Sequence, residues 1–179
     1  MTRRGRADGG QVPAAPSRQI PARGGGSGKW PLTRVLVAED VAVVRETLTA
    51  LLGLEPDIQV VAAVGSGDQV VPAAVEHRPD VALLDIGLPG TDGLAAAAEL
   101  ARRLPGCRVL ILTGLEAPGN LGAALQAGVS GFLLKDGPAG ELAFAVRAVA
   151  RGEQVFDARL AGEAPGTGEP PSRPDSQAF

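Results

Sequence analysis

The stretch Val81-Ala82-Leu83-Leu84-Asp85 decides how this chain is interpreted. Its first four residues form a short, continuous apolar run, and such runs are typical of fully buried strands. The run ends in a carboxylate, which would lie at the carboxyl end of the strand. Open α/β folds bind their ligands at that edge of the sheet. Asp85 is therefore the first candidate for a functional side chain.

Three further apolar runs are also followed by polar side chains, namely Glu39 and Asp40, Thr113, and Lys135. Together with Asp85, these residues place three acids, one hydroxyl and one amine at the ends of four strands. The carboxyl ends of parallel strands meet at one edge of a sheet. We therefore expect these five residues to form one site.

The side chains of this set indicate a particular chemistry. Clustered carboxylates repel each other unless a divalent cation joins them, and hard oxygen ligands suit Mg²⁺. A carboxylate is also a competent nucleophile toward phosphorus. An incoming phosphoryl group would then pair with the Lys135 ammonium and accept a hydrogen bond from Thr113. The set predicts Mg²⁺-dependent phosphoryl transfer to one of its carboxylates.

From Arg34 onward, short apolar runs alternate with amphipathic stretches. The predicted strands span 34–39, 58–64, 80–85, 108–113 and 130–134, and the predicted helices span 41–53, 67–77, 92–104, 117–127 and 138–151. This alternation predicts an α/β fold, a doubly wound parallel sheet with helices on both faces. A flavodoxin-like (βα)5 strand order of 2-1-3-4-5 would place a crevice between the first and third strands, where the three acids lie.

These motifs resemble the receiver domain of two-component response regulators. The matching segments are Glu39-Asp40, Asp85 with Leu88-Pro89 and Gly93, Leu112-Thr113-Gly114, and Phe132-Leu133-Leu134-Lys135-Asp136. The continuation into Gly137-Pro138 and Glu141-Leu142 is similar to the NarL/FixJ type. The resemblance runs from about Thr33 to about Leu160.

The resemblance assigns a role to each site residue. A histidine kinase would phosphorylate Asp85, with Mg²⁺ as the required cofactor. Asp40 and Asp85 would bind the cation directly and Glu39 through water, where the family more often has Asp. The backbone carbonyl of Gly87 would complete the metal shell by analogy alone. Lys135 would bind the phosphoryl group.

The resemblance also implies a conformational switch. Thr113 would move toward the phosphoryl group, and Phe132 would turn inward, although plain sheet packing explains Phe132 equally well. The helix after Thr113 contains Gly119 and Gly122, which weaken it, so it is expected to respond to phosphorylation. In such a switch the domain assists its own phosphorylation and dephosphorylation, but it is not a metabolic enzyme.

Three residues have expected backbone roles. Asp40 and Asp92 lie just ahead of predicted helices and could cap their N-termini. Gly93 is expected to be required for the backbone conformation of the loop after Asp85.

Composition narrows the remaining possibilities. Hydrophobic residues make up 45% of the 179 residues but aromatics only 3%, so the core is expected to consist of aliphatic side chains. The one cysteine excludes an intramolecular disulfide and fits a reducing compartment. No apolar run approaches the length of a membrane span. A cytoplasmic protein without membrane contact is expected.

Charge and composition change at both ends of the chain. Residues 1–33 carry a net charge of +5, and since the whole chain carries −3, residues 34–179 carry −8. Residues 1–33 and 157–179 are expected to be disordered tails, and 34–156 to be the receiver domain. The acidic domain is not expected to bind DNA, and no helix-turn-helix domain is predicted after it.

The output of the switch stays open. In relatives of the NarL/FixJ type the output is transcription, and a homodimer on phosphorylation is possible. One alternative is a binding module that keeps the fold for protein contacts without switching. Another is a truncated fragment of a DNA-binding transcriptional regulator.

Overall fold

The computed structural model describes residues 31–114, 120–157 and 159. In these residues a six-stranded parallel sheet has the strand order 2-1-3-4-5-6. The strands are β1 Thr33–Ala38, β2 Ile58–Val64, β3 Val81–Asp85, β4 Arg108–Thr113, β5 Gly131–Leu134 and β6 Val155–Phe156. The helices are α1 Ala42–Gly53, α2 Val70–His77, α3 Gly93–Arg103, α4 Asn120–Gln126 and α5 Ala139–Ala150.

The two faces of the sheet form two separate cores. Side chains alternate along β1, so that Val35 and Val37 pack toward α1 and α5, whereas Leu36 and Ala38 pack toward α2, α3 and α4. All five residues of β3 are buried, as the continuous apolar run predicts for a central strand. The doubly wound α/β fold predicted from the sequence is therefore confirmed.

The sixth strand is the main difference from the prediction of five strands. β6 lies parallel to β5, where the Val155 amide donates to the Ser130 carbonyl at 3.1 Å. The Asp157 amide donates to the Phe132 carbonyl at 3.0 Å. A strand of two residues is too short to show a period in the sequence, so the pattern could not predict it. Asp157, the first residue of the predicted tail 157–179, is thus hydrogen-bonded to β5 directly after β6.

Several element boundaries also differ from the prediction. The second predicted helix begins as a 3₁₀ turn, Gly67–Gln69, before α2. The predicted fourth helix overlaps α4, but residues 115–119, including Gly119, lie outside the described residues. The tails lie almost wholly outside them too. Within the part of the chain that is described, no helix is both long and apolar enough to cross a lipid bilayer.

The expected cap at Asp92 is confirmed, whereas that at Asp40 is wrong. The Asp92 carboxylate accepts a hydrogen bond from the Ala95 amide at 2.8 Å. At α1 the N-cap residue is Val41, without a side-chain cap. The free amide of Val41 instead donates to the Glu39 carboxylate at 3.2 Å.

Gly93 is required for a different physical reason from the one expected. Its backbone does not adopt a positive φ. A Cβ atom at this position would lie 2.1 Å from the Asp85 carbonyl oxygen and 2.9 Å from the Ile86 Cα. The absence of a side chain therefore lets α3 begin directly against the backbone that carries Asp85.

Candidate functional site

The strand registers bring the polar strand ends to one level. Ala38 pairs with Leu84, so the residues that follow them, Glu39 and Asp85, lie side by side at the sheet edge. On the other side Thr113 pairs with Leu134, and the Lys135 amide donates to the Thr113 carbonyl at 2.8 Å. The topology thus gathers side chains that are far apart in sequence.

The three acids form a compact cluster at this edge. Glu39, Asp40 and Asp85 can each direct a carboxylate oxygen to within 4.8 Å of the others. Glu39 is fully buried and Asp85 is 7% exposed, whereas Asp40 lies at the surface. Buried carboxylates are costly unless they are paired, so this cluster requires a cation.

Lys135 supplies one cation. Its ammonium nitrogen lies 2.7 Å from Glu39 Oε2 and 2.9 Å from Asp85 Oδ1. Burial lowers the pKa of Lys135, but its contacts with Glu39 and then Asp85 outweigh that effect, so the pKa is above its ordinary value. The lysine therefore stays charged and bridges the two buried acids.

The acid cluster also fits a divalent cation. Three carboxylates face a single ammonium, which leaves net negative charge among the described residues of the site. Glu39 Oε2 is buried and, despite its ion-pair distance from Lys135, has no hydrogen bond of acceptable geometry within the described residues. An all-oxygen, negatively charged set with one exposed member is suited to Mg²⁺, which retains bound water.

The loop after Asp85 is held by its neighbours. The Ile86 amide donates to the Leu112 carbonyl and the Gly93 amide to the Ile86 carbonyl, both at 3.1 Å. Farther along, Thr91 Oγ1 donates to Asp68 Oδ1 at 2.6 Å. Gly87, the candidate for a backbone metal ligand, is exposed within this fixed loop.

Thr113 and Phe132 are placed differently from the acids. Thr113 is buried, and its hydroxyl donates to the Gly114 carbonyl at 3.2 Å. Phe132 is 1% exposed and packs in the core beneath α2, α3 and α4. The inward position of Phe132 accords with sheet packing, one of its two expected roles.

One residue of the site was missed by the sequence analysis. Arg45 in α1 donates from Nη1 to the carbonyl of Glu39 at 2.6 Å and to that of Asp40 at 3.3 Å. Its targets are backbone atoms, which are present at every position. The only indication in the sequence was that an arginine lies in the first turn of the helix that follows the acids.

The whole arrangement matches a known family. A family model for the response regulator receiver domain matches residues 35–147. This chain belongs to the response regulator receiver family. Receivers of this family are signalling switches, and the resemblance stated from the sequence is confirmed.

Similar proteins place this receiver among regulators of the NarL type. It is 40% identical over 126 residues to the transcriptional regulatory protein DesR of Bacillus subtilis, covering 70% of this chain and 62% of DesR. It is 35% identical to LiaR of the same organism over 132 residues, covering 74% of this chain and 63% of LiaR. This receiver thus spans about three fifths of the length of these relatives.

Solved structures agree with the sequence matches. The signal receiver domain of NarL, a response regulator of Mycobacterium tuberculosis, superposes with a TM-score of 0.66 at 36% identity. The match covers 68% of this chain and 98% of that domain. The fold and the family of this receiver are therefore the same as those of a NarL-type receiver.

Proposed function

We propose that this receiver accepts a phosphoryl group on Asp85 from a histidine kinase and changes conformation in response. One observation carries the proposal: the Lys135 ammonium contacts the carboxylates of both Glu39 and Asp85 at the carboxyl edge of the sheet. An ammonium held beside a candidate nucleophile is positioned to pair with the oxygens of a phosphoryl group that arrives there.

The transfer is a displacement at phosphorus. An oxygen of the Asp85 carboxylate attacks the phosphorus of a phosphohistidine, forming an acyl phosphate as the bond between phosphorus and the imidazole nitrogen breaks. The electron pair of that bond returns to the imidazole. Lys135 then pairs with the added phosphoryl oxygens, and its contact with Asp85 gives way to this stronger interaction.

The proposed cofactor is Mg²⁺. Asp40 and Asp85 would bind it directly, Glu39 through water, and the carbonyl of Gly87 by family analogy. When bound, the cation would neutralise negative charge on the phosphoryl group and the acids. The support from this chain is the cluster of three carboxylates and the buried Glu39 oxygen, which has no aligned hydrogen bond from any residue that the structure describes.

The proposed switch begins at Thr113. Its hydroxyl would exchange the Gly114 carbonyl for an oxygen of the phosphoryl group on Asp85. As the segment that follows Thr113 moves, Phe132 in the neighbouring strand β5 would change its packing against α4. The Lys135 amide, directly after β5, donates a hydrogen bond to the Thr113 carbonyl. A movement of Thr113 would therefore also affect β5.

The proposed output is transcription, on the ground that the relatives DesR and LiaR are transcriptional regulatory proteins. The net charge of −8 on residues 34–179 argues that the receiver itself does not bind DNA. Its partners would be a cognate histidine kinase and, on phosphorylation, a second copy of the receiver.

Phosphorylation in vitro tests the proposal. Purified protein, Mg²⁺ and phosphoramidate are expected to give one added phosphoryl group by intact-mass spectrometry, and Asp85→Asn is expected to give none. Asp92→Asn is the matched control, because it removes one acid nearby but keeps a residue that caps α3. Labelling of Asp85→Asn at the wild-type level would refute the assignment.

A further inference from the structure

Arg45 has a position that the proposed transfer does not by itself explain. Its guanidinium reaches back from the first turn of α1 to the junction with β1. There Nη1 donates to the carbonyls of two consecutive residues, Glu39 at 2.6 Å and Asp40 at 3.3 Å. These two residues are the acids of the cluster that directly follow β1.

The backbone at this junction has two other anchors, one at Glu39 and one in the peptide that joins Asp40 to Val41. The Glu39 amide donates to the Val64 carbonyl at 3.1 Å, and the Glu39 carboxylate accepts from the Val41 amide at 3.2 Å. Among the described residues the Asp40 carboxylate accepts no hydrogen bond. Its direction therefore depends on its backbone, which Arg45 restrains.

The neighbouring strand leaves room for this arginine. Gly65 follows β2, and a Cβ atom there would lie 3.2 Å from Arg45 Nη1. A side chain at Gly65 would press on the guanidinium, so the glycine and the arginine fit as a pair.

The positive charge of Arg45 and its restraint of the backbone have opposite effects on metal binding. A guanidinium close to a cation site repels a divalent cation, so its removal should strengthen binding if only charge mattered. Restraint of the Asp40 backbone strengthens binding, because the ligand is already oriented before the metal arrives. The two effects differ in sign and can be separated by experiment.

We propose that Arg45 is a positioning residue that orients Asp40 for the divalent cation. This inference rests on the proposed metal-dependent function. Arg45 contacts neither the metal nor the phosphoryl group in this proposal, and it acts only through the backbone of Glu39 and Asp40.

Direct metal binding tests the proposal without any phosphorylation. Mn²⁺, used alone as the probe, is titrated into the full chain, and free Mn²⁺ is measured by electron paramagnetic resonance. Arg45→Ala is expected to weaken Mn²⁺ binding about tenfold, the usual scale for residues that orient metal ligands. Arg45→Lys, which keeps the charge but replaces the planar guanidinium with an ammonium on a shorter side chain, is expected to weaken it by less. Arg103→Ala, an exposed arginine in α3, is expected to leave it unchanged.

The outcomes distinguish failure of the metal site from failure of the positioning role. If wild-type protein binds no Mn²⁺, the proposed metal site itself is wrong. If wild-type protein binds Mn²⁺ and Arg45→Ala binds it equally or more tightly, the positioning role is overturned. Circular dichroism shows whether each variant is folded, and if Arg45→Ala is not, Arg45→Lys decides: wild-type affinity in that variant would overturn the proposal.

Discussion

At the scale of single residues, the charge balance of the site depends on Lys135. Its ammonium contacts the fully buried Glu39 and the nearly buried Asp85. The folded-state pKa of Lys135 is raised above its unfolded value. Its contribution to stability is therefore complete below the unfolded pKa of about 10.4 and is lost as the pH rises through the folded value.

Replacement of Lys135 by methionine tests this contribution to stability. We expect the free energy of unfolding at pH 7, without metal, to fall by about 1–2 kcal/mol, a value reduced for partial solvent exposure. The deficit should be the same at pH 7 and pH 9, and it should shrink above about pH 10.4, where the unfolded wild-type chain loses the lysine proton. Urea denaturation at pH 7, 9 and 11 measures this. A deficit that does not shrink between pH 9 and pH 11 would contradict the electrostatic explanation.

Two isosteric amide substitutions should distinguish the acids that follow β1. Asp40→Asn removes a proposed direct ligand, so the Mg²⁺ concentration for half-maximal phosphorylation should rise by about tenfold or more. Glu39→Gln removes only a water-mediated contact and should have a smaller effect. Phosphoramidate labelling across a Mg²⁺ titration provides the measurement. Equal or reversed effects would mean that the direct and water-mediated ligands are exchanged.

At the scale of secondary-structure elements, Arg147 joins α5 to the loop between α1 and β2. Its guanidinium donates to both oxygens of Asp57, at 2.8 Å and 2.6 Å, and also contacts Glu55. The hydrogen bond from Arg147 is the largest effect on the pKa of Asp57 and holds it below its usual value. The pair therefore stabilises the fold above the unfolded pKa of about 3.9, and this is lost as the pH falls through the lower folded value.

Arg147→Ala should destabilise the protein by about 1 kcal/mol at pH 7, since the two-oxygen contact with Asp57 is geometrically favourable but partly exposed to solvent. The difference from wild type should shrink as the pH falls below the unfolded pKa of about 3.9 and be lost as it passes through the lowered folded pKa of Asp57. Arg151→Ala, which breaks an exposed pair with Glu153, is the control and should change stability by less than about 0.5 kcal/mol. Chemical denaturation in steps from pH 7 to pH 2 checks both variants, and a difference that does not shrink below pH 4 would argue against this ion pair.

The response to phosphorylation should be largest in the helix α4. Gly122 lies within α4, and a Cβ atom there would meet nothing within 4 Å. Gly122→Ala should therefore stabilise the helix by about 0.5–1 kcal/mol. Phosphorylation should change hydrogen exchange mainly across residues 114–127 and near Phe132, and Gly122→Ala should reduce that change. Changes concentrated in α2 instead would contradict this route of signal transmission.

At the scale of the whole molecule, the sequence predicted those features that follow from strand topology. Asp85, Glu39 and Lys135 could be grouped because each terminates an apolar run, and parallel strands place such ends at one edge. Arg45 could not be found in this way, because it bonds to backbone carbonyls. The hydrogen bond from Thr91 to Asp68 joins the loop after Asp85 to the 3₁₀ turn before α2, and their approach depends on the finished fold. The strand β6 is too short to have a recognisable pattern.

The phosphorylated residue can be located by chemical labelling. Protein phosphorylated by phosphoramidate with Mg²⁺ is treated with borohydride, which reduces an aspartyl phosphate to homoserine, and is then sequenced by tandem mass spectrometry. We expect homoserine at position 85 and unmodified aspartate at positions 40 and 92. Homoserine at either of those positions, or its absence throughout despite bound metal, would contradict the assignment of Asp85 as the phosphoryl acceptor.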